Sequence, residues 1–397
     1  MNARKISCIM LALLMLFSFA ACAGNEEPAE DTTVLDGSDT TTEESTEGNG
    51  EAETEAVTDL IPETEVKLPK DEPKFIHPLT GLPTETDISA KRPVSIMVNN
   101  LQASLPQSGV YSADILWECL AEGGITRLMM ISTEYEKLPK VGSVRSARDY
   151  YIDFAQSYDC IFIHAGGSEY AYNTLYARGI NRLDGVNGPS PYGVFAREQD
   201  RINSGYAIEH TLFLQGGSAI QSGIATQGYR TTRADGYAKP MNFAEWGETV
   251  QNAKKATHVG VLVSAQQYVD YVYDEVSKTY LRFQYKGQPH VDSAAKQQLA
   301  FKNVIIMYND SGAISGDDKN RIWMATTGES TGYYITEGTY REIVWKKDHH
   351  YSVIKYYYKD TGEEVKLNRG KTMINVVDNY NKANTVFDNK TDSFLKK

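Results

Sequence analysis

About a fifth of this 397-residue chain cannot contribute to a folded core, and all of it lies at the N-terminal end. Arg4 and Lys5 precede an apolar run from Ile9 to Phe19 that is too short to cross a bilayer stably, so residues 1–21 read as a signal peptide closing on Cys22. From Ala23 to Pro73 the chain holds seventeen Asp and Glu against two Lys, with almost no aromatics. Such a stretch cannot bury enough apolar area to offset its ordering entropy, so residues 22–74 are expected to be a disordered acidic tether. As a flexible coil it would reach on the order of 40 Å. The whole chain has a formal charge of -12. Removing the tether's -15 and the signal's +2 leaves the remainder near +1. A near-neutral globular part carries no basic footprint for nucleic acid.

The run Phe19-Ala20-Ala21-Cys22 resembles the lipobox of bacterial lipoproteins, with Phe19 in place of the usual Leu. That resemblance implies lipid on Cys22, a protein anchored to the membrane without spanning it, and a location on the extracytoplasmic face.

Residues 75 onward are long enough for two domains, and the texture changes partway along. The stretch 75–240 alternates apolar runs with helical patterns. From 245 to 380 the chain is Tyr-rich, with period-two alternation and turn signals, and 381–397 is a polar tail. The expected fold is α+β/α/β: an α/β N-terminal domain followed by a mostly β C-terminal domain. In the second domain the pattern predicts strands at 267–275, 279–285, 304–308, 321–326, 332–335, 339–345, 351–358 and 364–367. Asp360-Thr361-Gly362 forms the turn between the last two. Trp323, Trp345 and Tyr356–Tyr358 read as packing aromatics and leave sugar or peptide binding open.

In the first domain, Pro93–Val98 predicts a buried strand ending at Asn99-Asn100, a place where α/β sheets often hold a ligand. Two alternating runs, Asp114–Glu122 and Ile125–Ser132, flank Gly123-Gly124 and predict a hairpin. With Glu122 opposite Ile125, Glu118, Glu122 and Arg127 share one face, and Trp117, Cys119, Leu128 and Met130 the other. In KVGSVRSARD (140–149), leading into a helical pattern, Arg145 and Arg148 are spaced for one helical face, with Ser143 or Ser146 as N-cap. Free N–H groups beside two guanidiniums suit a phosphate or carboxylate. Alternatively, the arginines pair with Asp149, Asp153 or the Glu118/Glu122 wall and brace the fold.

The strand 159–164 opens through Ala165-Gly166-Gly167-Ser168 into a second helix. It has no Gly-Lys-Ser/Thr and so is not a P-loop. His164, at its end, is placed to act as acid, base or ligand, or as a structural histidine. The seven histidines are scattered without metal-ligand spacing, His210 included. Cys119 and Cys160 lie on predicted core strands and read as two buried thiols.

The motifs HPLTGLP (77–83), RPVSIMVNN, LPQSGVYSADILWECLAEGGITRL, VGSVRSARDYYIDFA and IHAGGS occur in that order. They resemble the YerB-type lipoproteins, a bacterial family of unknown function with N- and C-terminal domains. The likeness covers nearly everything from 75 to 380, including the pattern around Arg282–Asp292, Asn303-Val304 and Trp345. Where that family usually has Pro-His-Asn, this chain has Glu209-His210-Thr211. In outline, the order of Arg127, SVRSARD and the Gly-Gly turn also resembles LytR-CpsA-Psr enzymes, which transfer polyprenyl-pyrophosphate-linked glycans; the paired aspartates of those enzymes are not evident here.

Two functional classes follow. The first is an envelope lipoprotein without cofactor that binds an anionic ligand or partner through Arg127, Arg145, Arg148, Gly166, Gly167, Ser168, Asn99 and Asn100. Cell-wall polymer, a polyprenyl-phosphate or an envelope protein would fit. The second, implied by the looser resemblance, is a phosphotransferase or hydrolase using Mg²⁺, with Glu118, Glu122 or Asp149 as metal or base candidates and His164 as proton donor.

Overall fold

The structure is a computed structural model that describes residues 65–188 and 192–388. The signal segment, Cys22, nearly all of the acidic tether and the tail past residue 388 lie outside the described residues.

Among the described residues an eleven-stranded mixed sheet organises the fold. The N-terminal half supplies β1 (Val94–Asn99), β2 (Ile115–Leu120), β3 (Thr126–Ser132), β4 (Ile161–His164) and β5 (Arg182–Asp184). A second sheet is built around β6 (His258–Ser264), β7 (Gln267–Asp274) and β8 (Thr279–Gln284). The chain then re-enters the main sheet with β9 (Asn303–Asn309) and makes a small hairpin of β10 (Ser311–Ala313) and β11 (Ile322–Met324). The last main-sheet strands are β12 (Gly328–Thr336), β13 (Thr339–Lys347), β14 (Lys355–Tyr358) and β15 (Thr372–Asp378). The order across ten of its strands is β14-β13-β12-β9-β15-β2-β3-β1-β4-β5, and the eleventh, the short strand Lys254–Lys255, pairs with β13 off this path. Helices α1 (Asp149–Gln156), α2 (Glu169–Ala177) and α3 (Gly217–Thr226) all lie in the first half. An α/β N-terminal region followed by a mostly β region is therefore what forms.

One strand joins the halves. β15, from the end of the described chain, inserts beside β2 in parallel register, Ile115 opposite Thr372 through Cys119 opposite Val376. Its other edge pairs in parallel with β9. Covered on both faces, β15 is apolar along most of its length, as central parallel strands are.

The alternation along β2 shows what covers each face. Leu116, with Leu128 and Met130 of β3, packs in the cluster holding Val259 and Val261 of β6 and Ile220 of α3. Trp117 and Cys119, with Met129 and Ile131, pack in the cluster holding Phe154 of α1 and Leu175 of α2. The Trp117 and Phe154 rings stack at 4.7 Å. Such a pair is worth about 0.5–1.5 kcal/mol beyond its area burial. Cys119 and Cys160 are buried free thiols, as expected, and burial pushes the Cys160 thiol up to about 12.

Three expectations are corrected. The β2–β3 hairpin pairs Cys119 with Arg127 and Leu120 with Thr126, one residue off the two-residue-turn register. Ala121 N–H donates to Ile125 O at 2.7 Å, so Glu122-Gly123-Gly124 is a three-residue turn, with both glycines at positive φ. A one-residue slip reverses the faces. Glu118 therefore points away from Arg127, and Leu128 and Met130 lie on the Glu118 side.

Arg145 and Arg148 do not share a helical face. α1 begins at Asp149 with Arg148 extended at its N-cap, so neither Ser143 nor Ser146 caps it. Three residues just before it spend their backbone N–H groups elsewhere: Val144 on Leu212 O, Arg145 on Met97 O and Ala147 on Gly166 O. Those long-range bonds outcompete an early helix start. Finally, 364–367 reduces to a bridge between Tyr357 and Glu364, whereas β15 forms where no strand was expected.

Candidate functional site

The β2–β3 turn, the start of β3 and the start of α1 converge on one carboxylate. Arg127 donates to Glu122 Oε1 at 2.6 Å and to Ser146 O at 2.9 Å. Arg148 donates through Nε to Glu122 Oε2 at 2.9 Å and through a terminal nitrogen to Oε1, and binds Ala147 O at 2.7 Å. Burial opposes ionisation of Glu122, but Arg127 and Arg148 outweigh it and bring its carboxyl to about 2. Burial and the neighbouring Arg148 lower Arg127 to about 10, against the opposing pull of Glu122. Two guanidiniums on one carboxylate leave a net positive charge in a mostly enclosed place. Arg127 is only 1 % exposed and cannot touch a ligand directly. Arg148, at 9 %, is the one that reaches a surface cleft.

That cleft, of about 270 Å³, is lined by Arg148, Glu122, Gly167, Ser168, Glu169, Lys319 and Arg321. Ser168 caps α2 by accepting the Ala171 N–H at 3.1 Å. Gly166, at φ +72°, turns the chain there. Its N–H donates to Asp184 Oδ1 at 2.9 Å and its carbonyl accepts from Ala147, so Gly166 shapes the turn and presents no free donor. Lys319 and Arg321 come from the β10–β11 turn of the other half. Arg321 donates to Asp317 Oδ2 at 2.6 Å and lies over the Tyr170 ring at 4.9 Å. Lys319 has no ion-pair partner among the described residues. Neither was singled out as a site residue, because a polar turn (Asp317-Asp318-Lys319-Asn320-Arg321) carries no signal of what lies across from it.

Glu118 belongs to a different place. It is fully buried and accepts from Asn100 Nδ2 at 2.9 Å, Thr126 Oγ1 at 2.7 Å, Arg282 at 2.7 Å and Asn375 Nδ2 at 3.0 Å. Arg282, equally buried, also donates to Gln284 Oε1 at 3.0 Å and contacts His290 Nδ1, while His290 Nε2 meets Gln107 Oε1 at 2.9 Å. Burial lowers the His290 pKa far below its usual range, with Arg282 adding to the effect. This network ties β2, β15 and β8 together. Its members are sealed from solvent, so Glu118 and Asn100 act as joints between the halves.

The remaining candidates stand apart. Asn99 Nδ2 meets His210 Nδ1 at 2.9 Å, and Arg145 lies 3.7 Å from Glu209, making a separate cluster at the end of β1. His164 is fully buried, its Nδ1 held by Gly166 O at 2.7 Å, and burial lowers its pKa. Asp149 is half-buried at the start of α1, and burial raises its pKa. Among the described residues no three His, Cys, Asp or Glu side chains are grouped to hold a metal ion, and no helix is long and apolar enough to cross a membrane.

Residues 79–230 match the family model described as "Protein of unknown function (DUF3048) N-terminal domain", and residues 259–374 match its C-terminal domain; together they span more than half of the chain. A Bacillus subtilis (strain 168) protein named "Putative lipoprotein YerB" is 28 % identical over 323 residues, covering 80 % of this chain and 89 % of its own length. The crystal structure of the YerB protein from Bacillus subtilis superposes with a TM-score of 0.65 at 28 % identity, covering 77 % of this chain and 97 % of that one. With both domain models matched in order, and a solved relative sharing the fold, the chain belongs to the two-domain DUF3048, or YerB-type, family.

Proposed function

We propose that this protein is a lipoprotein anchored to the membrane through Cys22, facing the extracytoplasmic side, that binds an anionic envelope ligand in the cleft between α2 and the β10–β11 turn. The name of the Bacillus subtilis relative supports the lipoprotein part, together with the N-terminal Phe19-Ala20-Ala21-Cys22 run. The binding part rests on one observation: Arg127 and Arg148 share the single carboxylate of Glu122, and the surplus positive charge faces a cleft that also holds Lys319 and Arg321. Arg148 is pre-oriented by Glu122, so its fork loses little freedom on meeting a phosphate or carboxylate. Arg127 works from behind, as a charge. Binding of this kind needs no cofactor.

The test is a thermal-shift titration of the full chain with phosphate and pyrophosphate, with and without Mg²⁺ and against a matched chloride series. A ligand at a hundred times its Kd stabilises by about 2.7 kcal/mol. The expected result is an anion-specific rise without Mg²⁺ that Lys319→Ala/Arg321→Ala abolishes. No rise with either anion contradicts the anion site. A rise only with Mg²⁺ would favour a phosphotransferase instead.

A further inference from the structure

At the end of β1, three side chains that the arginine cleft does not use come together: Asn99, Arg145 and His210, with Glu209 outside them. Their backbones are pinned. Arg145 N–H donates to Met97 O at 3.0 Å and its carbonyl accepts from Ala165 N–H at 3.1 Å, which fixes it between β1 and the turn after β4. His210 closes the short turn Ile208–His210, with its N–H on Ala207 O at 2.8 Å and its carbonyl accepting from Arg201 at 3.3 Å.

The hydrogen bonds decide which nitrogen of His210 carries the proton. Leu101 N–H can only donate, and it meets Asn99 Oδ1 at 3.1 Å, so the other end of that amide, Nδ2, faces His210 Nδ1 at 2.9 Å. An amide NH₂ also only donates. His210 Nδ1 therefore accepts, and the ring proton sits on Nε2. Burial lowers the His210 pKa, and Arg145 and Arg201 add to the effect against the opposing pull of Glu209, which favours this neutral ring.

Nε2–H and the Arg145 guanidinium converge on one place. Glu209 Oε1 stands there, 3.9 Å from His210 Nε2 and 3.7 Å from Arg145 Nη2, and both distances are too long for a hydrogen bond. The Arg145 side chain is 16 % exposed and makes no hydrogen bond among the described residues. Its Nε is sealed, whereas its terminal nitrogens and His210 Nε2 reach solvent. Glu209, with a side chain 54 % exposed, is held by nothing else and is free to turn outward. Two fixed donors thus face an acceptor that satisfies neither.

We propose that Arg145 and His210 form a carboxylate site, in which the oxygens of a ligand carboxylate accept from Arg145 Nη2 and His210 Nε2, and that Glu209 is a tethered competitor displaced when the ligand enters. One guanidinium and one neutral N–H suit a single negative charge, and the group this chain itself brings to the place is a carboxylate. A doubly charged phosphate meets more positive charge beside Arg148. The site is independent of the arginine cleft and of the anion reading given to it.

The experiment follows the histidine Cε1–H NMR signals of the full chain at fixed pH, with that of His210 assigned by its loss in His210→Gln. The probe is N-acetyl-alanine, with N-acetyl-alaninamide, which lacks the carboxylate, and inorganic phosphate as comparisons. The expected result is a saturable shift of the His210 signal with N-acetyl-alanine and none with the amide. Glu209→Gln, a surface change, should tighten that binding at least about threefold, because a site held part of the time in a competing state binds more weakly by that fraction. Arg145→Met, checked by unchanged signals from the other histidines, should weaken it at least about tenfold. Lys319→Ala/Arg321→Ala should leave it as it is. No shift of His210 in Glu209→Gln, an equal response to the amide, phosphate binding as tightly, affinity not raised by Glu209→Gln, or affinity retained in Arg145→Met would each overturn the proposal.

Discussion

Glu122 is where local chemistry most governs this molecule. Replacing it by Gln leaves Arg127 and Arg148 facing each other, mostly buried and without a counter-charge, and should cost roughly 3 kcal/mol or more, read from urea unfolding. Its folded pKa, near 2, lies below the ordinary 4.5 of the carboxyl. The stabilisation is therefore full above about 4.5 and is lost as pH falls toward 2. The gap between wild type and Glu122→Gln should be widest near neutrality and close through that window; a gap independent of pH would contradict the assignment. Glu118 offers a second case, because Arg282 is sealed beside it. Glu118→Leu alone should destabilise by about 3–5 kcal/mol, with part recovered in Glu118→Leu/Arg282→Met, where no buried charge is left unpaired. Additive losses in that double-mutant cycle would show that the pair is not coupled. The sequence already displayed Glu122, Arg127 and Arg148 as charges in reach of each other. The partner of Glu118 was not legible there, since Arg282 lies 164 residues away and only the tertiary fold brings it in.

At the scale of elements, turn length decided what pattern could not. Alternation located β2 and β3 correctly, but a three-residue turn and a two-residue turn fit the same Gly-Gly, and the choice moves every side chain of one strand to the other face. The start of α1 failed for a related reason, since a helical spacing of charges cannot show that backbone N–H groups are already taken by β1 and the Gly166 turn. β12 makes a testable close approach. A Cβ on Gly332 would lie 2.2 Å from Ile306 O across the β9–β12 pairing. Gly332→Ala should thus cost about 1–3 kcal/mol in a thermal or urea melt despite better strand propensity. A neutral effect would mean that β9 and β12 can shift apart freely.

For the whole molecule, the α/β texture followed by β texture was readable, but the joint between them was not. TMINVVD is short, apolar and remote in sequence from β2, and nothing local marks it as the strand that completes the first half's sheet. Because β15 is shared, the two halves should unfold together. Fluorescence of Trp117 and Trp345, one in each half, should report a single coincident transition. Two separated transitions would contradict the shared sheet. The anion cleft depends on this joining, since it takes Lys319 and Arg321 from the second half. The most direct measurement is anomalous diffraction from crystals of the protein grown with tungstate, a heavy tetrahedral oxyanion. A peak is expected between Arg148 and Lys319, lost in Lys319→Ala/Arg321→Ala. An empty cleft, with tungstate only elsewhere, would contradict it.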